Sequence, residues 1–428
     1  YGASGAEVTA VRTAFDNVGI TENSSTPTQD KTPIPTSTGQ DFVALVSTSD
    51  SKLYNTPYPT TAFTQRSLLG LKRRPSVADD GSLAVYVGSD GKIRASSMTR
   101  PASETVISAE AGWANVVISK DGTRLAALTD KQDGKLWVYS FDLAKWNTFT
   151  LYNPTSAQGV KTGEVAYADS FEWDYSGEYV IYDAYNKLTN SSGQAVDYWD
   201  VGIINVWDGS KKNFATGRID KLFTDLDEGI SIGNPSFSKT SPDLIAFDYF
   251  DETDNSYYVL SANIEKGDVN IVYENNDLGF PSYSRTDNAI VFGTTNTSGK
   301  ESVALMNLNT DKLTPKGTVV ALYTGAKWPV WYSNVARVIP TRVNQTITFN
   351  TIADQLITAG SVTLQATSSA GLAVGFSVQA GPAELVGNQL RFTGVGSVTV
   401  VAFQEGNTQT YAATPVTRTF LIKTPILA

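Results

Sequence analysis

The chain has 428 residues, with 43 acidic and 33 basic side chains, no histidine and no cysteine. That composition excludes disulfides, thiolate nucleophiles, the usual zinc ligands and every catalytic arrangement that turns on an imidazole. With 18% charged and 41% hydrophobic residues it reads as a folded protein of two or three domains, and no apolar run approaches the roughly 20 residues that span a bilayer.

The net charge of −10 is unevenly placed. From residue 341 onward, Arg342, Arg391, Arg418 and Lys423 stand against Asp354, Glu384 and Glu405, a balance of +1 that leaves −11 for the preceding residues. An acidic body argues against nucleic acid, which needs a basic footprint. It permits calcium or cationic partners, but the plainer reading is that it keeps a secreted protein soluble. Tyr1 opens a polar stretch, so the numbering is expected to begin on a mature, processed chain.

Residues 1–40 read as an arm. Val8, Val11 and Phe15 fall on one side of a weak helical period, and Thr21 to Gln40 has a linker composition rich in Ser, Thr, Pro, Asn and Gln. Such an arm is either a loose terminus or a segment that packs on its own chain or on a neighbouring subunit.

Residues 41–340 carry one motif six times: a short strand, a tight polar turn, then an apolar strand. Pro75-Ser-Val-Ala-Asp-Asp-Gly81 leads into Leu83–Val87, Val116-Val-Ile-Ser-Lys-Asp-Gly122 into Leu125–Leu128, and Phe171-Glu-Trp-Asp-Tyr-Ser-Gly177 into Tyr179–Tyr182. Pro235–Asp243 leads into Leu244–Phe247, Pro281–Asn288 into Ala289–Phe292, and Pro329–Asn334 into Val335–Ile339. The fourth motif position falls on Ala78, Ser119, Asp174, Ser238, Ser284 and Tyr332, at intervals of 41, 55, 64, 46 and 48 residues. These intervals suit four-stranded blades with loops of variable length. Gly81, Gly122 and Gly177 supply the positive φ that the turns need.

Third and fourth strands follow in most units, among them Lys135–Phe141, Val201–Trp207, Asn147–Tyr152 and Thr318–Tyr323, all β-branched or aromatic runs between turn residues. The sixth unit is short. Its outer strands are expected from Phe42–Val46 and the stretch to Leu71, which would latch the ring and leave no open edge there.

The Pro-Ser-aromatic-Ser-x-x-Asp/Gly pattern, six times in register, resembles the repeat of TolB-type six-bladed β-propellers over about 300 residues. That resemblance implies a scaffold used mostly for protein contacts, with a central channel. Residues 341–428 carry about seven short strands with Gly turns, including Gln345–Phe349, Val374–Val378, Ser397–Ala402 and Thr417–Ile422. With Ser369–Leu372, Gly381-Pro-Ala383, Gly394-Val-Gly396, Gly406-Asn407 and Tyr411-Ala412, they resemble the Ig-like repeats of bacterial surface proteins. This implies an extracellular spacer or adhesion module, and hence export. The expected fold class is all-β: a six-bladed β-propeller plus a C-terminal Ig-like β-sandwich.

Three acidic clusters have the oxygen-rich chemistry of a calcium site. They are Asp225, Asp227 and Glu228; Asp248, Asp251 and Asp254 with Glu252; and Asp197-Tyr-Trp-Asp200. None has EF-hand spacing, and each reads first as a solvated acidic loop between strands. The third unit carries insertions at Asn186–Trp199 and Gly209–Asp225, so Tyr198, Trp199 and Asp200 are candidate ligand-binding residues, with Trp207 either beside them or in the blade core. Paired carboxylates there would be the requirement for glycoside cleavage. There is no Gly-x-Ser-x-Gly elbow and no phosphate-cradling loop.

The expectation is a non-enzymatic protein of the bacterial cell surface or envelope that binds other surface proteins. The alternatives are a carbohydrate-binding or glycoside-cleaving propeller, and a filament or surface-layer subunit that binds copies of itself.

Overall fold

A computed structural model describes residues 33–100, 102–152, 160–161, 165–190, 192–223 and 226–425. Its contacts separate Pro33–Val338 from the residues that begin at Ile339. Among the described residues no helix is long and apolar enough to cross a membrane.

The first unit is a ring of six antiparallel sheets, taken here as blades 1 to 6. Blade 1 runs from the channel outward as Ser76–Val77, Leu83–Val87, Ile93–Ser97 and Glu104–Ser108, and blade 2 as Trp113–Ile118, Arg124–Thr129, Lys135–Ser140 and Lys145–Thr150. In blade 3, Val165–Tyr167 and Phe171–Trp173 share the inner position against Tyr179–Asn190, followed by Ala195–Asn205 and Ile219–Lys221. Blade 4 is Ile230–Phe237, Leu244–Asp251, Ser256–Asn263 and Asp268–Asn275; blade 5 is Ser282–Tyr283, Ala289–Thr295, Glu301–Leu308 and Pro315–Thr324.

Blade 6 begins with Ala326–Ser333 and is completed by Asp41–Ser47, Leu53–Pro57 and Thr64–Gln65 from the other end of the unit. Val335–Ile339, read from sequence as the apolar strand after the sixth motif, is not a strand. Asp41–Ser47 already occupies the hydrogen-bonding edge of Ala326–Ser333, so the chain turns away there and leaves Val335 and Val338 exposed.

The period of two explains why the ring holds. Along Asp41–Ser47, Val43 and Leu45 enter the core shared with blade 5, while Ala44 and Val46 enter the core shared with blade 1. In blade 2, Leu125 and Ala127 face blade 1, and Ala126 and Leu128 face blade 3. Six such clusters, one per blade junction, close the circle.

The repeat is equally visible in the backbone. The N–H groups of Ala78, Ser119, Asp174, Ser238 and Ser284, five of the six marker positions, each donate to the carbonyl that opens the next strand, at 2.8–3.0 Å. Gly81, Gly122 and Gly177 then donate back to the marker carbonyl with φ of 64°, 74° and 67°. In blade 5 the glycine's place is taken by Asp287, at φ 58°.

The second unit packs residues of the sheet Gln355–Leu356, Val416–Lys423, Gly396–Phe403 and Gly375–Ala380 against residues of Ile347–Phe349, the sheet around Gln389–Phe392, and Leu364. Val398, Val400 and Ala402 alternate inward to meet Phe349, Leu390 and Phe420 in one core.

Candidate functional site

The acidic clusters do not assemble. Asp225 lies outside the described residues. Asp251 accepts the N–H of Thr253 at 2.8 Å, and Asp254 accepts the N–H of Ser256 at 3.1 Å, so both close loop turns; Glu228 is exposed and Asp227 lies at the start of a turn. Among the described residues no three acidic side chains converge as metal ligands.

Asp248 is a correction to the sequence reading. It is 2% exposed, and its Oδ1 accepts from Gly279 N–H at 2.8 Å while its Oδ2 accepts from Phe280 N–H and Asn234 Nδ2, both at 2.9 Å. Its carboxylate is a brace between blades 4 and 5, with its lone pairs used by protein donors. Asp183 does the same one blade earlier, accepting from Asp169, Ser170 and Asn234 N–H at 3.0, 2.8 and 3.1 Å.

The Tyr198-Trp199-Asp200 run splits across the strand. Asp200 is buried, with Tyr198 on its side of the sheet; Trp199 points the other way. There it meets Tyr185 at 5.3 Å and Tyr167 at 5.4 Å between ring centroids, and these two tyrosines stand 5.2 Å apart. Asp197 accepts the Tyr185 hydroxyl, and that bond, then burial, pushes the phenol up to about 12. Lys187 lies over the Tyr185 ring at 5.4 Å. The half-buried trio sits where blade 3 is elongated: Tyr185 and Trp199 are on strands of 12 and 11 residues, and Tyr167 is on the short strand Val165–Tyr167 beside them. Trp207 belongs to the core: it is 4% exposed and packs against Phe214, with the Arg124 guanidinium 4.7 Å above its ring.

The channel is the site that sequence reading missed. A cavity of about 60 Å³ is lined from every blade, by Ser76, Asn115, Glu172, Lys239, Ser282 and Trp331 in order. Glu172 holds Lys120 with Oε1, keeps Lys239 Nζ at 4.0 Å from the same oxygen, and accepts Phe237 N–H at 3.1 Å with Oε2. Burial alone would raise Glu172; the two lysines overcome that and hold it at about 2. Burial, then the neighbouring Lys120 charge, brings Lys239 down to about 8 against the pull of Glu172.

Two segments cross one end of this channel. Pro33–Gln40 runs from blade 4, where Ile34 N–H donates to Thr240 at 2.9 Å, to blade 6, where the Ser37 and Ser333 hydroxyls meet at 2.6 Å. The described part of the arm therefore packs on its own propeller. Arg337 comes from the other side, chelating Asp79 at 2.9–3.0 Å and donating to the Lys239 carbonyl. Arg285 pairs with Asp41 at 2.9 Å, and Arg74 spans to the carbonyls of Pro281 and Pro329 at 3.0 and 2.8 Å. Each residue comes from a different blade or crossing segment, so no local spacing marks them.

No protein-family model matches this chain, and no curated protein matches it. Among solved structures it is similar to TolB from Acinetobacter baumannii, with 14% identity and a TM-score of 0.48 over 68% of this chain and 66% of that one, just under two thirds of its length. A protein of Agrobacterium tumefaciens assigned as TolB matches at 13% identity and TM-score 0.43, over 67% of this chain and 90% of that one. An oligogalacturonate lyase from Vibrio parahaemolyticus matches at 10% and 0.35, over 67% and 87%.

Proposed function

We propose that this chain is a non-enzymatic, exported bacterial protein that binds another protein of the cell surface or envelope through the loop face of its propeller, with an Ig-like C-terminal module as spacer or second contact. The observation that carries this reading is the elongated third blade. It presents Tyr167, Tyr185 and Trp199 as a contiguous ring cluster flanked by Asp197 and Lys187. Aromatic anchors beside charged groups are the composition of an interface hot spot.

The channel supports the same reading. Its cavity of about 60 Å³ has room for a few waters or one small ion. Three ion pairs, Lys120–Glu172, Arg285–Asp41 and Arg337–Asp79, tie neighbouring parts of the ring together there.

The test is capture from a native envelope extract with the full chain as bait, compared with Trp199→Ala and with a shortened 187–197 hairpin. A partner retained by the parent chain and lost by at least about tenfold in both variants supports the reading. Equal capture by all three, or turnover of a substrate by the purified chain, sinks it.

The same rings favour a second reading, carbohydrate binding, because stacked aromatics beside a carboxylate suit a sugar face. A glycan array with Trp199→Ala as control separates the two.

A further inference from the structure

We infer that the centre of the propeller channel binds a small oxyanion, of the size and chemistry of phosphate, sulfate or a carboxylate, between Arg74, Lys120 and Lys239. This goes beyond the partner-binding reading and does not depend on it.

The argument begins with charge. Five cations line the cavity, Arg74, Lys120, Lys239, Arg285 and Arg337, against two lining carboxylates, Asp79 and Glu172. Arg337 is matched by Asp79, Arg285 by Asp41 from outside the lining, and Lys120 by Glu172. Lys239 is left 4.0 Å from a carboxylate oxygen that already holds Lys120, and Arg74 donates to two neutral carbonyls, with Glu172 and Asp248 acting on it only through space. A net positive charge remains around the cavity. Like charges so placed repel strongly, because the low local dielectric magnifies Coulomb terms.

The donors are also in place. Arg74 Nε is buried with no hydrogen-bond partner among the described residues. Such an orphan donor is unfavourable unless a ligand or water meets it. Ser76 and Ser282 each accept a backbone N–H, from Ile118 and Trp331 at 3.1 Å, which leaves their hydroxyl hydrogens for an acceptor in the cavity. The volume of about 60 Å³ has room for roughly four waters, or one small anion. The excess positive charge disfavours a metal ion, and the volume disfavours a sugar.

The experiment uses the full chain at constant ionic strength in chloride. Melting temperature is followed against inorganic phosphate, against sulfate, and against a short peptide with a free or an amidated C-terminus. The expected result is a phosphate-dependent rise in melting temperature. Lys239→Gln should weaken the apparent affinity by at least about tenfold, and Glu172→Gln, which releases both lysines from their shared carboxylate, should strengthen it several-fold. A rise with the free peptide and none with the amide identifies a chain terminus as the source; a rise with phosphate alone identifies a free anion; either supports the site.

Phosphorus NMR of phosphate with the parent chain gives a readout independent of the variants: a broadened line that sulfate restores is expected, should Lys239→Gln fail to fold. No rise and no broadening with any probe overturns the proposal. So does a rise that is the same in both variants.

Discussion

Arg285 Nε meets Asp41 Oδ1 at 2.9 Å, across 244 residues of chain, and Trp331 Nε1 reaches the same oxygen at 3.1 Å. Asp41 is the first residue of the strand that closes blade 6, so one carboxylate ties that strand to the inner strand of its own blade and to the turn of blade 5. Asp41→Ala should destabilise the propeller by about 1–3 kcal/mol, because it strips two donors of their acceptor at once. Paired with Arg285→Ala in a double-mutant cycle in urea, it should show a coupling above about 0.5 kcal/mol. Additive effects would mean that the contact does not hold the latch.

The turns were readable from sequence because their chemistry is local. Gly81, Gly122 and Gly177 were expected at positive φ and lie there, and the marker positions make the repeating backbone bond. The channel was not readable. Asp79 and Arg337 are 258 residues apart and Lys120 and Glu172 are 52 apart, and they meet only because the ring closes. The run Tyr198-Trp199-Asp200 divides for the opposite reason. Neighbours on a strand face opposite sides, so Trp199 joins Tyr167 and Tyr185 rather than Tyr198 and Asp200.

The two Asp-Gly turns offer a matched comparison. A Cβ on Gly81 would lie 2.3 Å from the Ser333 carbonyl oxygen and 2.8 Å from the Tyr332 ring, whereas one on Gly122 meets nothing within 4 Å. Gly122→Ala should therefore cost only the left-handed strain, about 1 kcal/mol, and Gly81→Ala should cost that plus a backbone clash, about 3 kcal/mol or more. Chemical denaturation of the two variants side by side checks this, and equal losses would mean that the blade 6–blade 1 junction is loose.

Asp287 occupies a glycine's place in the fifth turn, yet glycine should not replace it. Its carboxylate is fully buried and accepts from Lys239 N–H at 2.6 Å, Thr240 N–H at 2.8 Å and the Thr240 hydroxyl, with Lys312 Nζ at 3.7 Å. Asp287→Gly relieves the positive φ but leaves three donors unmet, so a net loss of about 2–4 kcal/mol is expected in the urea midpoint. A stabilised variant would show that the turn's strain outweighs its side-chain bonds.

The channel pair sets a pH dependence with two limbs. Glu172 is held at about 2 from an ordinary 4.5, so its contribution is full above pH 4.5 and is lost as pH falls through about 2. Lys239 runs the other way: brought down to about 8 from an ordinary 10.5, its charged form is disfavoured in the fold, so stability rises between pH 8 and 10.5 as the folded state sheds the proton first. The groups that act on it are Lys120, Glu172, Arg337 and Asp79. Urea midpoints across pH should show both limbs; Glu172→Gln should reduce the acid one, and Lys239→Gln the alkaline one. An alkaline limb that survives Lys239→Gln unchanged would assign it elsewhere.

The C-terminal unit has a core of its own, and that core predicts autonomy. Leu390 is fully buried among Val398, Val400, Phe420 and Phe349, residues contributed by different strands of this unit. A unit that buries its apolar side chains against themselves needs no outside surface to fold. A fragment beginning at Ile339 should therefore unfold in one cooperative step. In the whole chain, Leu390→Ala should lower one transition by about 2–5 kcal/mol, the cost of a large-to-small change in a packed core, and leave the propeller's transition where it was. A single merged transition that shifts as one would mean that the two cores share their stability, and that a spacer role for this module is wrong.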